Sequence, residues 1–192
     1  DPTILRNYYE FIDAVNGAIS PSITQYDVQV PYLNLNSAAA SFLNIRYLLV
    51  PRDNDPLGGI FSGQYKLVRE DINRNYRLYE NSAYLDRFFL VSTVTVLPDR
   101  QAVAAAIRPG KVDFTQTVLA NQQHYPIPSE LPDCGASSMP RVTVLAYDGN
   151  SVRLQTSAAC NAFLVSSEVY YPGWEARIDG KKARLFEGNL AF

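Results

Sequence analysis

Apolar residues first recur at helical spacing near the start of the chain, where Ile4, Leu5, Tyr8, Phe11, Ile12 and Val15 share one face. Asp1 suits a helix cap, Pro2 the first helical position and Asn16-Gly17 the stop, so a helix is expected over 1–16. A turn-rich connection covers 20–31, and Asn36-Ser37 opens a short helix through Ala38-Ala39-Ala40 to Leu43. The pattern then turns to strands. Residues 45–50 form one that Pro51 ends, and 52–63, with Asp53-Asn54-Asp55-Pro56 and Gly58-Gly59, is an exposed loop. Strands over 65–70 and 76–80 flank a polar turn, and 88–97 reads as one long β-branched strand. Asp99 caps a second short helix to Ile107, with Ala102, Val103, Ala106 and Ile107 facing inward and Pro109-Gly110 ending it; 112–119 is a further strand.

Residues 121–140 hold four prolines and Cys134 and read as a long loop or linker. From Arg141 onward the pattern is β throughout: strands over 142–147 and 152–156 around Asp148-Gly149-Asn150, then 163–170, 174–178 and 183–186. The expected fold class is therefore α+β. A mixed helix/strand subdomain over 1–120 precedes the linker and a C-terminally truncated antiparallel β-sandwich portion over 141–192, the alternative being one continuous domain of 1–120 and 141–192.

Within the β-rich part, 163–180 carries the most distinctive residues. Phe163, Val165, Ser167 and Val169 fall on one face of the first strand, and Leu164, Ser166, Glu168 and Tyr170 on the other. Pro172-Gly173 makes a sharp turn. Beyond it Trp174, Ala176 and Ile178 alternate with Glu175, Arg177 and Asp179, up to a hairpin signal at Asp179-Gly180. Tyr170, Tyr171 and Trp174 could stack on sugar rings, with Glu168 or Asp179 bonding hydroxyls. The competing expectation is a packed corner. Alternation puts Trp174 on the apolar face, and Tyr171 is then the exposed aromatic.

Composition narrows the function classes. The 192 residues suit one domain or one and a half. The net charge is −2 and no basic run occurs, so a nucleic-acid or anionic-membrane role has no electrostatic support, and no nucleic-acid partner is expected. No apolar run approaches the ~20 residues that span a bilayer. The start at Asp1 without Met and the stop in an apparent strand at Asn189-Leu190-Ala191-Phe192 read as a piece excised from a longer protein. Cys134 and Cys160 are compatible with one disulfide in an oxidising compartment or with two buried thiols, and spacing alone does not choose.

Candidate chemistry is sparse. His124, the only histidine, has no Cys or His at ligand spacing and no nucleophile context, so neither a metal nor a cofactor is expected. Asp53-Asn54-Asp55 lacks the later ligands of a calcium loop and reads as a turn. Gly58-Gly59 lacks the spacing and the Lys of a phosphate loop. Glu168, Glu175, Asp179 and Glu187 are near each other in sequence, but Arg177 between Glu175 and Asp179 marks a solvated charged face rather than a hydrolytic carboxylate pair. The 13 tyrosines mark an interaction-capable surface.

Three patches together resemble one family. They are Leu43-Asn44-Ile45-Arg46-Tyr47-Leu48-Leu49-Val50, then Leu78-Tyr79-Glu80-Asn81 with Arg87-Phe88-Phe89-Leu90-Val91, and Tyr170-Tyr171-Pro172-Gly173-Trp174 leading to Ile178-Asp179-Gly180-Lys181. In order and spacing the chain resembles the C-terminal extracytoplasmic region of YfhO-like bacterial membrane proteins. It departs in having Asp86 where the family usually has Pro, and in stopping where the family continues through another strand or two toward a membrane helix. The resemblance implies a polytopic membrane protein of the lipid-sugar-dependent glycosyltransferase type, associated with cell-surface glycopolymers. The catalytic carboxylate of such enzymes lies in a loop between early membrane helices, and no stretch here matches one. The implied role is accessory: an extracytoplasmic domain of a bacterial cell membrane protein that docks on the membrane-embedded part of its own chain or holds acceptor glycan. A free-standing carbohydrate-binding module is the alternative.

Overall fold

The computed structural model describes residues 2–16, 38–57, 63–108, 110–122, 140–159 and 161–192. The cap at Asp1, the side chains of Ile4 and Leu5, Gly17, the 20–31 connection, Asn36-Ser37, Gly58-Gly59, Pro109, His124, Cys134 and Cys160 lie outside the described residues. Within them the chain is α+β and strand-rich, with several small antiparallel sheets.

Helix α1 (Pro2–Asn16) runs to its expected stop and buries Phe11, Ile12, Ala14 and Val15. The short α2 (Ala38–Phe42) buries Ala39, Ala40, Ser41 and Phe42. Strands β1 (Tyr47–Pro51), β2 (Tyr65–Asp71) and β3 (Tyr76–Asn81) form an antiparallel sheet in the order β1-β3-β2. Its inner face carries Leu48, Val50, Tyr65, Leu67 and Tyr79, which pack with Leu57 as a separate small core.

The strand expected over 88–97 is two strands, β4 (Phe88–Val91) and β5 (Thr93–Leu97). Val91 and Val94 are both buried while Ser92 and Thr93 between them are exposed. An unbroken strand would send positions 91 and 94 to opposite faces, so the chain twists at Ser92 and changes partner. Helix α3 (Arg100–Ile107) is capped as expected: the Ala102 amide donates to Asp99 Oδ1 at 2.7 Å. It crosses from β5 to β6 (Thr117–Asn121), which pairs parallel to β5. The strand expected over 112–119 starts late. Asp113 Oδ1 accepts from the Thr115 amide and hydroxyl at 2.9 and 2.6 Å, which holds a turn ahead of it.

Beyond residue 140, β7 (Arg141–Tyr147) and β8 (Val152–Ser157) form the expected hairpin. The strand expected over 163–170 is only β9 (Phe163–Ser166), and it pairs antiparallel with β4. Likewise 174–178 shortens to β10 (Ala176–Ile178), whose partner is β11 (Lys181–Ala183) rather than 183–186. Asp179 and Gly180 both have positive φ, 50° and 79°, so a two-residue turn sets Lys181 directly opposite Ile178. No residue of β7, β8, β10 or β11 is buried.

The main core joins Phe11, Ile12 and Val15 of α1 and Phe42 of α2 to Val103 and Ile107 of α3, Leu119, Val165 and Leu190-Ala191-Phe192. Residues on both sides of 121–140 thus share it. The chain end is not the strand expected. It is a tight turn, with Asn189 and Leu190 at φ 48° and 74° and the Phe192 amide donating to Gly188 O at 2.9 Å. Beside β6, the Asn189 amide donates to Leu119 O at 2.7 Å and the Leu119 amide to Asn189 Oδ1 at 2.9 Å. This pairing seats Phe192 among Phe11, Phe42 and Tyr8.

Candidate functional site

The aromatic corner sits between β9 and β10. Its root is tied to the core, where the Tyr170 amide donates to Ala191 O at 2.7 Å. The chain then turns, with the Trp174 amide donating to Tyr171 O at 3.3 Å across Pro172-Gly173. Gly173 has φ 124°, a region closed to other residues in practice, and the Tyr171 ring lies close over it.

Tyr171 is 40% exposed, as expected, but Trp174 is 41% exposed, against its expected place on a core face. The physical reason is that, among the described residues, no strand or helix packs over that face. Alternation separates two faces of a strand, yet it buries one only where another element covers it. Ile178, on the same alternation, is 68% exposed. Tyr170 is half-buried, and Asp179 is exposed in the hairpin turn. The structure therefore brings Tyr171 and Trp174 together at one exposed turn. Asp179 lies across the short β10 from them.

Glu168 is already engaged. Its Oε1 accepts from Tyr147 Oη and from Arg87 Nη1, both at 2.7 Å, and Arg87 also donates to Tyr147 Oη at 3.0 Å. The guanidinium stands 5.4 Å from the Tyr147 ring centroid. The hydrogen bond to Glu168 leads the causes that hold Arg87 above its ordinary pKa. This triad fastens the β7–β8 hairpin to β4 and to the segment after β9. Glu187 is likewise engaged, by Arg100 at 2.6 Å and Asn7 at 3.1 Å, whereas Glu175 faces Lys182 only at 3.7 Å with both side chains largely in solvent. No two of these acids stand free across a cleft, so the arrangement does not support a hydrolytic pair. Among the described residues no group of three His, Cys, Asp or Glu is disposed to hold a metal ion. No described helix is long and apolar enough to cross a membrane.

Two polar networks went unread in the sequence. Arg100 on α3 reaches Glu10 of α1 at 2.7 Å, Glu187 at 2.6 Å and Leu190 O at 2.9 Å. Asp55 accepts from the Leu57 amide at 2.9 Å, Tyr79 Oη at 2.6 Å and Arg77 Nη1 at 2.9 Å. The expected turn at Asp53-Asn54-Asp55 is there, but Asp55 is its anchor to the sheet. An Asp two residues before an apolar Leu57 was the local signal. The partners Arg77 and Tyr79 are set only by strand pairing. A small cavity is lined by Val15, Ala38, Ala39, Ile107, Val112 and Phe114, and it offers no polar side chain.

Comparison with protein-family models, curated proteins and solved structures gives no match of significance.

Proposed function

We propose that this chain is a non-catalytic extracytoplasmic domain of a polytopic bacterial membrane protein resembling lipid-sugar-dependent glycosyltransferases, and that it holds acceptor glycan at Tyr171 and Trp174. The observation that carries the reading is the joint exposure of the two rings, 40% and 41%, on a turn rooted in the core through Tyr170. Aromatic faces anchored on rigid backbone suit the apolar faces of sugar rings, and a carboxylate further along the hairpin, Asp179, suits the hydroxyls of an extended glycan. The engagement of Glu168 and Glu187 in ion pairs supports the non-catalytic part.

Titration of the protein with cell-surface glycopolymer fragments, followed by the emission of Trp174, tests this. A saturable change that Tyr171→Ala weakens is expected; no change across a broad glycan panel would overturn it.

A second reading, docking on the membrane-embedded part of the same chain, draws on the β7–β8 hairpin, where Val144 and Leu145 are 49% and 55% exposed. In that reading the sandwich expected over 141–192 is completed by a layer supplied from outside the described residues. A free-standing carbohydrate-binding module would use the same turn. A reading frame with many membrane spans upstream of Asp1 separates the two.

A further inference from the structure

The β10–β11 hairpin is two-faced. Cross-strand partners share a side, so Ala176, Ala183, Ile178 and Lys181 lie on one face and Arg177 and Lys182 on the other. The first face is apolar but for Lys181; Ala176 and Ala183 are half-buried, and Ile178 next to the turn is 68% exposed. Trp174 and Leu185, which flank the two strands, are 41% and 38% exposed. Lys181 borders this face, while Arg177 and Lys182 lie on the opposite one and Arg184 follows β11, so the hairpin carries four basic side chains against two acidic ones, Glu175 and Asp179, in a chain whose net charge is −2. All six are exposed. Lys181 and Arg184 make no ion pair among the described residues, and Lys182 reaches Glu175 only at 3.7 Å with both side chains largely in solvent. The hairpin is thus a local positive pole with an apolar face, a feature hidden by the chain's overall charge.

We propose that the β10–β11 hairpin contacts the surface of an anionic lipid bilayer, laying Ile178 and Trp174 into the headgroup region while Arg177, Lys181, Lys182 and Arg184 meet lipid phosphates. Exposed Trp beside aliphatic and basic residues is the composition that partitions to that interface. A second copy fits less well, because a two-fold contact through this face would bury little more than Ile178 and two alanines from each copy and leave Arg177 and Lys182 of both without counter-charges. A protein partner fits less well too. Two three-residue strands on a projecting turn offer far less than the roughly 20–30 residues a side of a specific interface, whereas a bilayer needs no complementary shape. The inference shares Trp174 with the glycan reading but rests on Ile178 and the basic residues rather than on Tyr171, so Ile178→Asp and Tyr171→Ala tell the two apart.

The test is co-sedimentation of the whole chain with vesicles of phosphatidylcholine alone and of an equimolar mixture with phosphatidylglycerol, together with Trp174 emission. Binding to the anionic vesicles, with a blue shift that high salt removes, is expected. Ile178→Asp and the pair Lys181→Glu, Lys182→Glu should each weaken it tenfold or more. All three positions are solvent-facing, so an unchanged thermal transition confirms that the variants fold. Absence of vesicle binding, or equal binding by wild type and both variants, overturns the inference. So does self-association that Ile178→Asp abolishes without any vesicle binding, which would assign the face to a second copy. Glycan binding by Ile178→Asp and loss of it in Tyr171→Ala would leave the two surfaces separately assigned.

Discussion

The ring of Phe192 stands edge-on to that of Phe42, with centroids 4.9 Å apart and planes at 81°. Phe192 also meets Phe11 edge-on at 5.0 Å, and Phe42 stacks against Phe114 at 4.9 Å. Phe192 therefore closes the core between α1 and α2. Phe192→Ala should remove about 3–4 kcal/mol of stability, through lost burial and the cavity left among three rings. Urea unfolding monitored by far-UV circular dichroism checks this, and a loss below about 1 kcal/mol would place Phe192 outside the core.

Arg100 ties three parts of the chain that share no strand pairing. Burial by itself lowers the pKa of its guanidinium, but the hydrogen bonds and charges of Glu10 and Glu187 outweigh it, and the net shift is upward. The Glu187 side chain is only 7% exposed, so removing its partner strands a carboxylate largely away from water. Arg100→Ala should cost about 2 kcal/mol or more, and Arg100→Lys should recover only part of it, because one ammonium cannot reproduce the forked geometry. Glu187→Gln in the Arg100→Ala background should restore some stability by deleting the stranded charge. A double-mutant cycle from urea midpoints reads the coupling.

Asp55 gives the small sheet a pH dependence. Its side chain is 3% exposed, and desolvation is the largest single influence, pushing its pKa up. The hydrogen bonds from Tyr79, Arg77 and the Leu57 amide together exceed that push, so the folded-state pKa lies below the ordinary value. A carboxylate depressed on folding contributes stability above its unfolded pKa of about 3.9, and the contribution is lost as pH falls through the folded value. The wild type should thus lose stability below about pH 4, and Asp55→Asn should flatten that part of the profile while weakening the protein at pH 7 by about 1–3 kcal/mol. Urea midpoints of both proteins at pH 7 and pH 3 decide it: an equal drop in both would remove Asp55 from the acid limb.

Gly188 faces Val118 so closely that a Cβ there would lie 2.6 Å from Val118 Cγ2. A β-branched side chain has little rotamer freedom with which to withdraw. Gly188→Ala should destabilise by about 1–3 kcal/mol, and Val118→Ala added to it should return part of the loss. Thermal melts of the two single variants and the double variant measure this, and additive losses would show that the two positions do not touch.

Trp174 is the only tryptophan, so intrinsic emission reports a single site. With 41% of its surface in solvent, its emission should be red-shifted in the native protein, open to acrylamide, and little moved by urea. A blue-shifted, quencher-protected native spectrum would bury Trp174 and take the exposed turn with it.

The sequence by itself determined the elements whose causes are local. The helical stripe of Phe11, Ile12 and Val15, the Asp99 cap, the turn at Asp148-Gly149-Asn150 and the Asp179-Gly180 hairpin all depend on neighbours within a few residues, and all are present. Tyr171 and the Pro172-Gly173 turn of the candidate site were legible for the same reason. Tertiary structure decided what depends on which element covers which. It split the 88–97 strand at Ser92 by giving β4 and β5 different partners, and it turned 189–192 into a buried plug through the pairing of Asn189 with Leu119. It also set Trp174 and Ile178 in solvent, because period-two alternation names two faces but does not say that a second layer lies over either.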